Sequence, residues 1–239
     1  MRIVWRGASL IAAMAVLALP GTGRAQTTVA GGLVSNGMFS EGGTGLGSVN
    51  TILTVQSPAN STTESGCISP TGTTDCGFAD MTVKTGASQS QTVFLSALSG
   101  VNGSNLAVVL NFAEPVNAIS GQLDQLVLTL YNTIGTALFS TSLADAVFYA
   151  DTETGTGNSG FLFSLTPDAA DAFDTAVANG GTQVGLGTAL SDVTGGQETF
   201  FIGVSSSAVT TTPEPASLVL LGTGLVSVFG AVRRRRASV

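Results

Sequence analysis

The chain has 239 residues, 44% of them hydrophobic and 10% charged, with 31 glycines, two cysteines and no histidine. Between Gln26 and Thr212 a single lysine, Lys84, stands against fourteen acids, a formal charge of −13. A surface of that sign repels phosphate backbones and anionic lipid, which argues against nucleic-acid binding and against adsorption to an acidic membrane.

The N-terminus, MRIVWRGASLIAAMAVLALPGTGRAQ, begins with Arg2 and Arg6, continues in an apolar run from Ala8 to Leu19 and ends in Pro20 with small residues at Gly23 and Ala25. That order predicts a secretory signal peptide over residues 1–25, cleaved after Ala25, since twelve residues are too few to span a bilayer comfortably. Trp5, the only tryptophan, leaves with it. Residues 26–209 are long enough for one domain with one core.

The following stretch, AGGLVSNGMFSEGGTGLGSVN, holds seven glycines and reads as loose chain or a single edge strand. No helix opens after it, so it is not a phosphate-binding loop. Cys67 and Cys76 lie in CISPTGTTDC, and in an exported chain an isolated close pair is most simply a disulfide. It would staple a polar insertion running from Ser57 to Asp80. A metal site is disfavoured because the chain has no histidine to complete one.

Short strands divided by turn residues follow. In LVLTLYNTIGTALFSTSL, Leu126, Leu128 and Leu130 alternate with Val127, Thr129 and Tyr131, the turn Asn132 to Gly135 intervenes, and Ala137, Phe139 and Thr141 resume the period of two. This is a hairpin. Asn105 to Phe112, Ser159 to Leu165, Thr182 to Leu190 and Glu198 to Val204 have the same character. The spacing predicts an all-β fold, an antiparallel β-sandwich of Greek-key or jelly-roll type with one short helix.

That helix is TPDAADAFDTAVANGG. Thr166 suits the N-cap, Pro167 the first turn, Asp168 the positive helix end and Gly180 the stop. Ala169, Ala170, Phe173, Ala176 and Val177 share a face, so Asp168, Asp171 and Asp174 read as a solvated face and not as a carboxylate site. Ahead of the helix, ADTETGTGNSG offers Asp151, Glu153 and Asn158 as oxygen ligands for calcium, but without the spacing of an EF-hand loop; a solvated acidic turn is the plainer reading.

Catalytic equipment is scarce. Absence of histidine removes the usual neutral-pH base and the commonest metal ligand, both cysteines are expected to be oxidised, and no G-x-S-x-G occurs. Paired-carboxylate glycosidase chemistry needs only two acids, yet Tyr131 and Tyr149 are the only tyrosines and no tryptophan remains to stack a sugar. The expectation is therefore no enzyme, no catalytic residues and no cofactor.

The chain ends in TTPEPASLVLLGTGLVSVFGAVRRRRASV. Residues 216–232 are an uncharged, mostly apolar run of seventeen, at the lower limit for a transmembrane helix, and Arg233, Arg234, Arg235 and Arg236 form a stop-transfer block that stays on the cytoplasmic side. Ahead of the run stands Pro213-Glu214-Pro215. Tripeptide, apolar helix and arginine cluster in this order over residues 210–239 resemble a PEP-CTERM sorting domain. The resemblance implies an exosortase as processing enzyme, with Pro213, Glu214 and Pro215 as its recognition motif, the helix as transient inner-membrane anchor, and a destination in the cell envelope or exterior of a Gram-negative type cell. It also implies association with exopolysaccharide and biofilm matrix, hence a structural or adhesive role. A calcium- or carbohydrate-binding extracellular module is the alternative.

Overall fold

The computed structural model describes residues 25–39, 50–56, 61–72, 82–85, 89–112, 120–150, 160–193 and 196–205. The signal peptide and the sorting tail with its expected transmembrane helix lie outside them. Among the described residues no helix is long and apolar enough to cross a membrane.

Period-two alternation makes the strands. They are β1 (Thr27–Phe39), β2 (Asn50–Val55), β3 (Thr63–Ile68), β4 (Val93–Phe94), β5 (Leu106–Asn111), β6 (Ser120–Asn132), β7 (Ala137–Leu143), β8 (Val147–Ala150), β9 (Gly160–Leu165), β10 (Gly181–Ser191) and β11 (Glu198–Val204); one helix, α1 (Pro167–Ala178), joins β9 to β10. On β6, Leu126, Leu128 and Leu130 are wholly buried while the residues between them are partly exposed, as a half-buried strand requires. The β6–β7 hairpin turns at Asn132 to Gly135, where Asn132 Oδ1 accepts from the amides of Ile134 and Thr136 and Gly135 has φ +82°.

The strands form one continuous sheet in the order β2-β11-β5-β9-β1-β7-β6-β10-β3, with β4 also beside β10 and β8 also beside β6. The all-β class with one helix is as expected, and the hydrogen bonding runs through a single, nearly closed sheet. Residues 82–84 draw its two margins together. Thr82 N donates to Ser65 O on β3, while Gln56 N donates to Thr82 O and Lys84 N to Thr54 O on the β2 side. Val83 bridges to Val55. A methyl on Gly66 would overlap the Val83 side chain, so glycine is what lets this strap lie against β3.

Two expectations are corrected. The glycine-rich start is an inner strand as far as Phe39, residues 40–49 lying outside the described residues: β1 pairs antiparallel with β9 and parallel with β7, the one parallel ladder among the described strands. Its glycines answer a packing need. Gly31 takes φ +68° where the register shifts, and a methyl on Gly32 would overlap Thr141 Oγ1 on β7 and Ala169 Cβ on α1. The polar insertion from Ser57 to Asp80 contains a strand, β3, whose residues pair with β10 from Leu186 to Ser191. Its small and polar composition hid it, because burial here comes from neighbours on both faces and not from alternating apolar side chains.

Helix α1 forms as its caps dictate. The Thr166 hydroxyl accepts from Ala169 N, Pro167 occupies the first turn, and Gly180 at φ +100° ends the last. Ala169, Ala170, Phe173 and Ala176 are buried, and Phe173 meets Phe139 edge-on with ring centroids 5.8 Å apart.

The barrel has two unlike ends. Strand directions place α1, the β6–β7 hairpin, the start of β1 and the end of β11 at one end. Strands β1, β2, β5, β8 and β10 end at the other, and β3, β6, β9 and β11 begin there.

Candidate functional site: the root of the tail and the polar groups of the barrel

The chain leaves the barrel through β11, which is flanked by β5 and β2 and therefore lies inside the sheet. Its exit is pinned. Val204 pairs with Leu106, and Ser205 N donates to Asn105 O at 2.8 Å. Asn105 is fixed in turn: its Oδ1 accepts from Asn102 N at 2.7 Å and its Nδ2 donates to Gly100 O at 2.9 Å. Asn102 Oδ1 accepts from the amide of Ser104 at 3.0 Å and from its hydroxyl at 2.6 Å. Gly103 N, finally, donates to Asp174 Oδ1 on α1 at 2.7 Å. Side-chain oxygens thus take up the amides of an irregular loop that would otherwise go unsatisfied, and the exit point is tied to the helix.

Beyond Ser205 lie the residues singled out in sequence as functional. Pro213, Glu214, Pro215 and Arg233 to Arg236 are outside the described residues, as are Cys76 and the acidic loop with Asp151, Glu153 and Asn158. Residues 206–212 separate the pinned exit from Pro213, a reach of at most about 27 Å at the extended rise per residue.

Within the barrel, Cys67 is 2% exposed near the end of β3 and is not a free thiol. Asp168, Asp171 and Asp174 sit on the exposed face of α1, as their periodicity implied. Among the described residues no three His, Cys, Asp or Glu side chains are grouped to hold a metal ion.

Sequence reading overlooked two buried acids and one buried phenol. Glu64 and Glu198 are 1% and 0% exposed. Glu198 could have been found, because the period of ETFFIGV that turns Phe200 and Ile202 inward also turns Glu198 inward; Glu64 was hidden with its strand. Tyr149 is buried against Phe161, with ring centroids 3.9 Å apart, and near Phe112 at 5.9 Å. Burial holds its hydroxyl proton well above the ordinary phenol range, weakly opposed by Ser35, and the hydroxyl makes no well-formed hydrogen bond. Tyr131 is shifted upward for the same reason, with Thr129 opposing. Burial thus keeps the two tyrosine hydroxyls protonated.

The C-terminal address is recognisable: residues 211–236 match the family of the PEP-CTERM protein-sorting motif. The chain is therefore a protein bearing a PEP-CTERM sorting motif. The motif implies an exosortase as processing partner and export to the envelope or the exterior. No curated protein and no solved structure matches the chain.

Proposed function

We propose that this is an exported envelope or extracellular-matrix protein, held briefly in the inner membrane by residues 216–232 and released when an exosortase reads Pro213-Glu214-Pro215. The observation that carries this reading is the match of residues 211–236 to the sorting motif. Arg233 to Arg236 serve as the stop-transfer block, and residues 1–25 as the cleaved leader. The barrel takes a structural or adhesive part among matrix polysaccharides and performs no catalysis. Support comes from a body without histidine that carries one lysine, and from Asp168, Asp171 and Asp174 lying on the exposed face of α1. A disulfide from Cys67 to Cys76 staples the segment that leads to the closing strap, and closing a ten-residue loop contributes about 2.5–3 kcal/mol in the chain-entropy picture.

Fractionation of the native host tests the reading. Wild-type protein is expected in outer envelope and medium, and the Glu214→Ala variant in the inner membrane. Identical distribution of the two would remove the tripeptide as the recognition element.

A further inference from the structure

The exposed apolar side chains are not spread evenly over the barrel. Of the large ones left exposed among the described residues, Phe94, Ile134, Val177 and Val204 all stand at the α1 end. Ile134, at the tip of the β6–β7 hairpin, is 83% exposed. Phe94 is 51% exposed and pairs with Gln183, two residues into β10 from the end of α1. Val177 lies in the last turn of the helix, and Val204 is the last residue of β11. Phe148, the fifth, pairs with Gln122 toward the other end.

The same end holds both limits of the described body. Strand β1 starts there at Thr27, opposite Phe139, and Ser205 leaves there beside Asn105. On the reading of residues 216–232 as an anchor, residues 206–215 connect this end to the membrane-embedded segment, a reach of at most about 40 Å.

We propose that the α1 end is a docking surface for a zwitterionic lipid face, on which the barrel rests through Ile134, Phe94, Val177 and Val204 for as long as the tail anchors it. Burial of a few apolar side chains in the headgroup region supplies the attraction. Exposed Asp168 and Asp171 on α1 oppose it at anionic lipid, and Lys84, the one basic residue of the body, lies on the strap toward the opposite end. So weak a contact is effective only at the high local concentration a short leash provides. Severing the leash therefore frees the barrel without a further release step.

The test uses the mature chain with its tail, reconstituted in phosphatidylcholine vesicles whose acyl chains carry bromine as a fluorescence quencher. Because the body contains no tryptophan, Ile134→Trp, Phe94→Trp and, at the opposite end, Thr63→Trp each place a single reporter. Sedimentation with the vesicles reports the anchor; quenching reports which end touches lipid. The expected result is co-sedimentation of all three, with quenching of the Ile134 and Phe94 reporters about threefold stronger than that of Thr63 and weakened when phosphatidylglycerol is added. Co-sedimentation with equal quenching at the two ends overturns the docking surface while leaving the anchor intact. Failure to sediment overturns the anchor, and the docking surface falls with it.

Discussion

At Gly103 a single missing methyl group holds together the helix, the exit loop and the root of the tail. Its amide reaches Asp174 on α1, and a Cβ there would overlap the carbonyl oxygen of Ala170, a backbone atom that cannot swing aside. Gly103→Ala must push the loop off the helix, and overpacking of this kind costs about 1–3 kcal/mol. The midpoint of chemical unfolding should fall with no change in its denaturant dependence. Tyr149 makes the second prediction at this scale. Its folded-state proton affinity is raised above that of an exposed phenol, so the native state binds the proton more tightly than the unfolded chain. The stability this represents is complete below about pH 10 and is lost as pH rises beyond it. Tyr149→Phe should leave neutral-pH stability almost unchanged, since the hydroxyl has no well-formed partner, and should flatten the alkaline fall in melting temperature. An unaltered alkaline fall would assign the effect elsewhere.

Among the elements, those with local signals were readable in the sequence and those defined by neighbours were not. Helix α1 carries its N-cap, its proline and its terminal glycine in the sequence, and each acts where expected. The β6–β7 hairpin and β11 carry a clear period of two, and both form. Strand β3 and strand β1 carried none: their glycines and short polar residues serve close packing against Val83, Thr141 and Ala169, contacts that depend on which strand lies alongside. Loop chemistry had misled as well, since glycine that permits close approach looks in sequence like glycine that permits freedom. The strap at residues 82–84 is the element most exposed to a test. Gly66→Ala sets a methyl against Val83 and Val55, so the strap must lift, and the amides of Gln56 and Lys84 lose their acceptors. Hydrogen exchange at those two amides should accelerate sharply while amides of the β5–β11 ladder stay protected. Equal acceleration everywhere would mean that the strap has no separate stability and the barrel opens as a whole.

For the whole molecule, the candidate site was legible because it is written in linear order: tripeptide, apolar run and arginine cluster require no fold to be recognised, and the match at residues 211–236 agrees with that order. What the barrel adds is placement. A body bearing one lysine against fourteen acids between Gln26 and Thr212 has little affinity for acidic surfaces of its own, so its position depends on the tail and on how the tail is joined. The last described residue, Ser205, is held by Asn105 O, and seven residues separate it from Pro213. The most direct test of this account is the intact mass of the protein recovered from the envelope and medium of its host. Its central claim predicts a chain that begins near Gln26 and lacks residues 216–239, with the Glu214→Ala variant retaining them. Recovery of wild-type protein that still carries Arg233 to Arg236 outside the inner membrane would contradict it.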